Sequence, residues 1–249
     1  MGKFVKITMC LAFAGILSAN AFAAGSGVGL DSARNDPDDK ASLQRGARNF
    51  MNYCSGCHSA KYVRYNRISS GLDLSEAQVM ENLMFNAERS FETIQSSMPI
   101  ADAMRWFGQA PPDMSLMARS KGTDYIYNFL RGFYLDPDSP TGVDNLYLAG
   151  TSMPHVLWEL QGFQRAVFVE GESKAEGEVF QGFDHATTGT MSADEFDVFV
   201  RDTVNFLEYI SEPIRSTRRA LGVWVLAFLA FFLVLAWLLE KEIWKDIPK

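Results

Sequence analysis

The chain is poor in cysteine, in histidine and in basic residues. Its 249 residues include only three cysteines and three histidines, which excludes a small domain stapled by disulfides. Lys and Arg number 23 against 30 Asp and Glu, and this excludes nucleic acid as the main partner because phosphate binding requires a basic surface. An apolar fraction of 47% excludes a disordered or collagen-like chain. What remains is a folded domain with its own core and short appendages.

Apolar residues are concentrated in two runs, one near each end of the chain. Two lysines precede the first run, residues 7–17, and small residues follow it. This order predicts a secretory signal peptide over residues 1–23, since the run is too short to span a bilayer as an uncleaved anchor. Removal of the peptide takes away Cys10, so that Cys54 and Cys57 are the only cysteines of the exported chain.

The second apolar run lies near the C-terminus, over residues 221–239, and contains 19 residues without a charged side chain. As a helix it is about 28 Å long, close to the ~30 Å of a bilayer's hydrocarbon core. Trp224 and Trp237 lie near its ends, where amphipathic rings favour the membrane interface. The run predicts one transmembrane helix within a C-terminal anchor of residues 215–249.

The charges that flank the anchor are balanced and do not predict its orientation. The orientation is therefore predicted from the signal peptide. Three arginines precede the span and three lysines follow it, so the positive-inside count is a tie. Export predicts that residues 24–214 lie on the periplasmic side of a bacterial inner membrane and that the tail stays inside. We expect Arg215, Arg218 and Arg219 to meet lipid headgroups or a partner subunit, which makes membrane lipid a predicted partner.

The exported portion, residues 24–214, is strongly acidic. It carries 15 basic and 27 acidic residues, a net charge of −12. Charge runs are usually solvated loops, but a field of this sign speeds the arrival of a basic partner. We predict that such a partner docks at the acidic stretch that includes Glu170, Glu172, Glu176 and Glu178.

Hydrophobic periodicity predicts a mainly α-helical domain with long loops. Leu43, Ala47 and Phe50 fall on one face of a helix that runs into Cys54. The pattern of residues 164–170 and 177–183 predicts one small hairpin. Further helices are predicted from capping boxes at Ser75–Gln78 and Ser192–Glu195, and from the spacing of Ile126, Phe129, Leu130 and Phe133 behind a cap at Thr123.

The segment Cys54-Ser55-Gly56-Cys57-His58 is the most specific motif of the chain. The spacing C-x-x-C-H is the signature of c-type haem attachment. Two thiols at this spacing can reach the two vinyl groups of one haem, and the adjacent histidine then stands under the iron. The motif predicts one covalently bound haem c, held by Cys54 and Cys57, with His58 as an axial ligand of the iron.

Three other roles for the two cysteines fit the sequence less well. A thioredoxin-like dithiol would lie in a βαβ unit and would not need the histidine. A zinc site would need a further matched pair of Cys or His ligands. A disulfide across two intervening residues would be strained and would leave the histidine unexplained.

A haem that carries electrons needs a second axial ligand, and the sequence offers Met153, His155 and His185. The two histidines keep a bis-histidine haem open. Met153 lies in a loop-like stretch, where Pro154 stiffens the backbone. His/Met ligation raises the reduction potential, which suits a carrier of quinol-derived electrons, and Met153 therefore stands apart from the other methionines as a candidate ligand. Other methionines lie in stretches that predict core, namely Met80, Met84, Met114 and Met117.

The motifs and their order resemble the cytochrome c1 family, the haem subunits of ubiquinol–cytochrome c oxidoreductase. The haem motif is common to c-type cytochromes, whereas the order of the other segments and the C-terminal position of the anchor are specific. The matching segments are QRGA (44–47), NYCSGCHS (52–59), YVRY (62–65), PPDMS (111–115), DY (124–125), MPHVLW (153–158), NFLEYISEP (205–213) and EIWKD (242–246).

The resemblance implies that Met153 is the second axial ligand, opposite His58, and it implies further residues around the haem. Pro111 and Pro112 would pack beside it, and Tyr125 would be a neighbour. The arginine that pairs with the haem propionates in the family would fall at position 121, where this sequence has Lys121. Lysine cannot reproduce bidentate pairing, so either Lys121 serves as a point charge or Arg119 takes over.

The resemblance also implies a function. The domain would take one electron from a Rieske iron–sulfur subunit and pass it to a c-type cytochrome acceptor, in a complex with a cytochrome b subunit. The cofactor would carry the chemistry, and the chain alone would not oxidise quinol. Two alternatives stay open: the haem subunit of another membrane-bound respiratory oxidase or reductase, and a haem-based sensor with an open sixth position.

Overall fold

The computed structural model describes residues 28–170 and 178–246 of the chain. The predicted signal peptide, residues 1–23, lies outside these ranges. Glu172 and Glu176 of the predicted docking stretch lie outside them as well.

Helices make up most of the regular structure within these ranges. The helices are α1 (Lys40–Tyr53), α2 (Tyr65–Gly71), α3 (Glu76–Asn82), α4 (Ile100–Phe107), α5 (Met117–Lys121), α6 (Thr123–Arg131), α7 (Trp158–Gln161), α8 (Ala193–Ser211) and α9 (Arg215–Ile243). The strands are β1 (Ala60–Arg64), β2 (Thr93–Ile94), β3 (Phe133–Leu135), β4 (Val143–Asn145), β5 (Gln164–Glu170) and β6 (Glu178–His185). They form three antiparallel pairs, β1–β2, β3–β4 and β5–β6. The prediction of a mainly α fold with one long apolar C-terminal helix is confirmed.

The core is built around the packing of α1 against α8. Apolar residues repeat along one face of α1, and Leu43, Ala47 and Phe50 are fully buried there. Gly46 lets the two helices approach closely, because a Cβ at this position would lie 2.8 Å from the Cβ of Phe206 and closer still to the carbonyl oxygen of Asp202. Any larger residue at position 46 would therefore force one helix to shift.

A buried carboxylate fastens the same two helices. Asp202 on α8 accepts hydrogen bonds from Ser42 Oγ at 2.6 Å and from Arg45 Nε at 2.6 Å. Close by, Asn49 Nδ2 donates to Thr203 Oγ1 at 3.2 Å. Because these buried polar groups are satisfied only in one arrangement, they fix the register of α1 on α8.

Both predicted capping boxes are present. The side chain of Ser75 accepts a hydrogen bond from the backbone of Gln78, whose own side chain bonds back to the backbone of Ser75. Ser192 and Glu195 make the same reciprocal pair at the start of α8. The two capping-box motifs thus predicted the N-cap residues of two helices correctly.

The boundaries of α6 differ from the prediction. The helix begins at Thr123 itself, with Gly122 as its N-cap at φ +90°, so the prediction of Thr123 as the cap was wrong. It ends at Arg131, and Phe133 opens β3 by pairing with Asn145 instead of extending the apolar stripe. The pairing with β4 overrides the helical spacing, which is a local signal only.

The predicted hairpin is present as β5–β6. Gln164 pairs with His185 at one end and Glu170 with Glu178 at the other, with an irregular register after Val167. The hairpin packs on β3 through an edge-to-face contact of Tyr134 and Phe168, whose ring centroids lie 6.5 Å apart.

The C-terminal helix α9 is long and apolar enough to cross a membrane. Its 29 residues include an 18-residue window of mean hydropathy 2.6, and none of that window is buried. The helix contains the predicted span, residues 221–239. Its length and composition fit the predicted single-pass anchor.

Candidate functional site

The two cysteines lie in a tight turn at the end of α1. The carbonyl of Phe50 accepts hydrogen bonds from the N–H groups of Cys54 and Ser55, both at 2.9 Å. The carbonyl of Cys54 then accepts from Cys57 at 3.1 Å and from His58 at 2.8 Å. The packed helix α1 thus determines where both thiols and the imidazole lie.

A loop from elsewhere in the chain clamps this turn. Ser96 Oγ donates to the carbonyl of Gly56 at 2.9 Å, and the N–H of Ser96 donates to Ser59 Oγ at 2.8 Å. On the other side, Ser55 Oγ donates to the carbonyl of Met51 at 2.8 Å. The turn is therefore held on both flanks.

Both cysteines are half-buried free thiols. Burial raises the pKa of Cys54 to about 12, and the neighbouring Cys57 adds to the shift. Burial also raises the pKa of Cys57. Among the described residues no group of three or more His, Cys, Asp or Glu side chains could hold a metal ion, which does not favour the zinc alternative.

His58 is oriented by a hydrogen bond at one ring nitrogen. Its Nδ1 lies 2.8 Å from the carbonyl oxygen of Pro112, so Nδ1 carries the proton and Nε2 keeps its lone pair. Burial lowers the pKa of His58, while the bond to Pro112 and the charge of Asp113 oppose this shift. A neutral imidazole with a free Nε2 is the form that binds a metal.

The proline segment is itself anchored by a carboxylate. Asp113 accepts hydrogen bonds from the N–H groups of Lys61 and Ser115, both at 2.9 Å. The N–H of Met114 donates to the carbonyl of Ser59 at 2.7 Å. These bonds fix Pro112 and, through it, the imidazole of His58.

Met153 lies in the loop between β4 and α7, and one buried carboxylate holds this loop. Asp144 Oδ1 accepts hydrogen bonds from the N–H groups of Asn145 at 2.8 Å, Gly150 at 2.8 Å and Thr151 at 3.3 Å. Thr151 Oγ1 in turn accepts from the N–H of Met153 at 3.4 Å. The thioether is therefore positioned by hydrogen bonds within a loop, without a helix behind it.

One cleft brings these groups together. It lies between the end of α1, the proline segment and the Met153 loop, and the apolar side chains of Phe107 and Val156 contribute to its walls. The predicted site residues that line it are Cys54, Cys57, His58, Pro111, Pro112 and Met153.

The other two described histidines are not among the residues that line this cleft. His155 is 6% exposed, and its ring stacks on Phe133 with the centroids 5.1 Å apart. Among the described residues neither of its ring nitrogens has a hydrogen-bond partner, and burial lowers the pKa of His155 to about 4. His185 lies at the end of β6, opposite Gln164.

The residues predicted near the haem propionates lie on α5 and α6, and none of them is among the lining residues of the cleft. Arg119 forms an ion pair with Glu212 at 3.5 Å. Lys121 Nζ lies 5.7 Å from the ring centroid of Tyr125, and that ring stacks on Phe129. The propionate roles of Arg119 and Lys121 stay predictions.

Two of the four predicted docking glutamates, Glu170 and Glu178, belong to the far end of the β5–β6 hairpin. The backbones of Glu170 and Glu178 pair at the last position of the ladder. Because Glu172 and Glu176 fall between them in the chain, outside the described residues, the docking role of all four stays a prediction.

Sequence reasoning missed Asp144 and Ser96, the two side chains that hold the site from a distance. An Asp-Asn pair followed by Gly150 is a turn-forming composition, and it predicts a hydrogen-bonded loop before Met153. No comparable signal marks Ser96, which reaches the turn from about 40 residues away in sequence.

The donor set of the cleft fits a haem of c type. Two thiols spaced by two residues, an imidazole with a free Nε2 and a thioether face one largely apolar cleft. Such a motif in a mainly helical domain, followed by one long apolar helix, is typical of membrane-anchored c-type cytochromes.

Comparison with known proteins gives the family. The sequence profile of the Cytochrome C1 family matches residues 35–247. The chain therefore belongs to the cytochrome c1 family, as predicted from its motifs.

Individual relatives align with this chain over most of their length. The cytochrome c1 of Allochromatium vinosum is 44% identical over 90% of this chain and 92% of that protein. The ammonia monooxygenase gamma subunit of Nitrosomonas europaea is 40% identical over 91% of this chain and 92% of that protein. The cytochrome c1 of Rhodospirillum rubrum is 29% identical over 84% of this chain and 83% of that protein.

Family membership establishes the coarse function. The cofactor is a haem, of c type by family, and the chain is a haem electron-carrier subunit of a cytochrome bc1-type complex. The family implies a complex that also contains a cytochrome b and a Rieske protein. The predictions of electron transport, haem and a membrane anchor agree with these findings.

Proposed function

We propose that the chain passes single electrons from a Rieske iron–sulfur subunit to a c-type cytochrome acceptor, within a quinol–cytochrome c oxidoreductase. The observation that carries this proposal is the convergence of Cys54, Cys57, His58 and Met153 on one cleft. Membership of the cytochrome c1 family supports the assignment to this complex.

In this proposal the turn after α1 holds one haem c covalently. Cys54 and Cys57 would hold the haem through two thioethers, and His58 would bind its iron through Nε2. When bound, the haem supplies the one-electron oxidation and reduction chemistry. Pro112 keeps the proton on Nδ1 of His58, so that the imidazole presents its lone pair in a fixed direction.

Met153 would supply the second protein ligand of the iron. Its loop is held by Asp144 and Thr151, and its side chain lines the same cleft as the two thiols. His155 is a poorer candidate, because its ring is stacked on Phe133 within the core. A six-coordinate low-spin spectrum in both oxidation states would exclude the haem-based sensor.

The proposed topology is a cleaved signal peptide over residues 1–23, a periplasmic haem domain over 24–214 and an anchor over 215–249. The apolar α9 supports the anchor, since none of its most apolar window is buried. Alkylation of an engineered cysteine at Lys249 in intact cells tests the orientation. Labelling by a membrane-impermeant maleimide before lysis would contradict an inner tail.

Purification from membranes tests the proposed complex. A tag at the C-terminus of the full-length chain should retain a multi-span cytochrome b and a Rieske protein under mild detergent. The retained complex should reduce its haem c with quinol, whereas the separated chain should not. Quinol reduction by the separated chain, or retention of neither partner, would contradict the proposal.

A second candidate follows from one relative. The ammonia monooxygenase gamma subunit of Nitrosomonas europaea matches this chain as extensively as the cytochrome c1 of Allochromatium vinosum does. The alternative function is that of a haem subunit in a membrane-bound monooxygenase. Retention of other monooxygenase subunits by the same tagged chain, in place of cytochrome b, would favour this alternative.

A further inference from the structure

The start of α9 borders a basic cavity that electron transfer does not use. The cavity has a volume of about 320 Å³ and lies between α5, the end of α8 and the first turns of α9. Its charged lining consists of Arg119, Arg215, Arg218, Arg219, Glu208 and Glu212. We call the four arginines the juxtamembrane arginine cluster. The lining has two more positive than negative charges, whereas the exported portion as a whole carries −12.

Ion pairs within the cavity use only part of the positive charge. Arg215 pairs with Glu208, and Arg119 pairs with Glu212 at 3.5 Å. Arg218 donates to both carboxylate oxygens of Glu212, with Nη2 3.1 Å from Oε2. Arg219 is exposed and makes no ion pair with any carboxylate of the described residues. Its guanidinium is therefore available for an anion from outside the chain.

The N-terminus of α9 adds to the positive potential of the cavity. The helix begins after Ile214, has no side-chain cap and carries no acidic residue in its first turn. A 29-residue helix therefore directs the positive end of its dipole to the side where the arginines lie.

Two arginines of the cluster come directly before the predicted membrane span. Arg218 and Arg219 precede the first residue of the apolar span, Leu221, by three and two positions. At ~1.5 Å per residue they lie about 3–5 Å outside the hydrocarbon edge. Long arginine side chains near a helix end reach outward to headgroup oxygens.

A second cavity beside α9 shows that the positive balance is local. It has a volume of about 540 Å³ and shares Arg215 and Arg219 with the first. Its full charged lining is Arg34, Arg215, Arg219, Asp36, Asp38, Asp124 and Glu208. Its carboxylates outnumber its arginines, so it repels the anion that the first cavity attracts.

We propose that the juxtamembrane arginine cluster binds the phosphate of an anionic phospholipid headgroup in the 320 Å³ cavity. Guanidinium forks match phosphate oxygens in pairs and keep their charge at every physiological pH. The surplus of two positive charges favours an anionic lipid over a zwitterionic one, whose amine would be repelled. Because α5 and α9 both contribute arginines, the bound lipid joins the haem domain to its anchor.

Lipid retention by the full-length, haem-loaded chain tests the proposal. The chain is reconstituted in phosphatidylcholine discs with or without phosphatidylglycerol, and bound lipid is measured by native mass spectrometry. The wild type should retain phosphatidylglycerol selectively. In Arg218→Gln/Arg219→Gln its affinity should fall about 25-fold, since each basic residue near an anionic surface contributes roughly fivefold. Arg218→Lys/Arg219→Lys should recover most of this loss because it keeps both charges.

Matched controls separate this site from general attraction to a charged membrane. Lys241→Gln/Lys245→Gln removes the same charge at the other end of α9 and should change retention less than about twofold. The haem absorption spectrum should be the same in all variants, which reports correct folding. Equal losses in the two Gln pairs, or no loss in the arginine pair, would overturn the proposal. So would displacement of the lipid by an equal concentration of inorganic phosphate, or loss of a partner subunit with lipid retention unchanged.

Discussion

The two sides of the haem cleft are built in different ways. The side with Cys54, Cys57 and His58 continues from α1, which packs along α8 and is fastened by the buried Asp202. The side with Met153 is a loop, held largely by hydrogen bonds to Asp144. A long packed helix resists displacement as a unit, whereas a loop fixed at one carboxylate can be released by one change.

This difference suits the two proposed tasks. Covalent attachment requires two thiols at a fixed spacing with an axial ligand next to them. The opposite ligand has to meet the iron afterwards, and a weakly held thioether can adjust to it. The predictions that follow separate the rigid side of the cleft from the adjustable one, beginning with the largest expected effect.

Cys57→Ala should abolish stable covalent holoprotein. Loss of one thioether also removes a covalent tie from the turn that positions His58, because Cys57 directly precedes His58. Haem staining after denaturing electrophoresis measures attached haem directly. Ser55→Ala, in the same turn, should keep the stain. Unchanged staining in Cys57→Ala would contradict the covalent assignment.

Met153→Leu should change the haem while leaving it attached. The midpoint potential should fall by a sizeable part of the ~0.8 V range that axial ligands set, and transfer from the iron–sulfur donor should stall. The weak red-end absorption of sulfur-ligated ferric haem should vanish. Redox titration and absorption spectroscopy measure both effects.

The matched variant for Met153 is His155→Phe. It keeps an aromatic ring against Phe133, whereas His155→Ala would leave a cavity in the core. Potential and spectrum should stay close to wild type. If His155→Phe loses the high potential and Met153→Leu keeps it, the iron is bis-histidine.

The sequence predicted the rigid side of the cleft far better than the adjustable side. Period-3.6 spacing gave α1 and its buried face, since a packed helix leaves a local pattern. The hold on the Met153 loop comes from Asp144, whose hydrogen bonds depend on a folded backbone and leave only a weak turn signal. Burial was also misjudged at Met80, which is 44% exposed although a core position was expected. Residue propensities and hydrophobic patterns describe one helix or strand at a time, so they do not predict contacts between loops.

Gly46→Ala tests the rigid side by overpacking it. The added methyl meets the Cβ of Phe206 at 2.8 Å and comes closer to the backbone of Asp202. We expect a loss of about 1–3 kcal/mol in the free energy of unfolding, although alanine is the better helix former. Gly222→Ala, also within a helix but with open space around it, should not destabilise the domain. Denaturant unfolding followed by haem absorption measures both, and equal stability would contradict close packing of α1 on α8.

Asp144→Ala tests the adjustable side. Three N–H groups lose their acceptor, at a cost of about 1–3 kcal/mol, and the Met153 loop should loosen. A fraction of the ferric haem should lose its sulfur signature, and the midpoint potential should fall by less than in Met153→Leu. Asp144→Asn keeps one acceptor oxygen and should show a smaller change. Asp138→Ala removes an exposed carboxylate nearby and should leave the spectrum intact, so an equal effect of Asp138→Ala would disprove a positioning role for Asp144.

Reversing the charge of the predicted docking glutamates should change neither the attachment of the haem nor its axial ligation. Changing Glu170, Glu172, Glu176 and Glu178 together to Lys should slow association with a basic acceptor by about tenfold at low salt, because the acidic field steers the encounter. The difference should shrink as salt rises, since exposed charges are screened over ~10 Å at 0.1 M. Stopped-flow oxidation of the haem measures the rate, and the absorption spectrum should not change.

The double variant Glu172→Lys/Glu176→Lys should be compared with a control double variant, Glu81→Lys/Glu88→Lys. Both control glutamates are exposed and lie outside the hairpin. If both pairs slow association equally, the acidic field acts as a whole and the hairpin is not the docking site. If neither changes the rate at low salt, the acceptor is tethered to the membrane or docks on another face. A loss confined to the hairpin pair would mean that acceptor docking, thioether attachment and axial ligation depend on three separate parts of the domain.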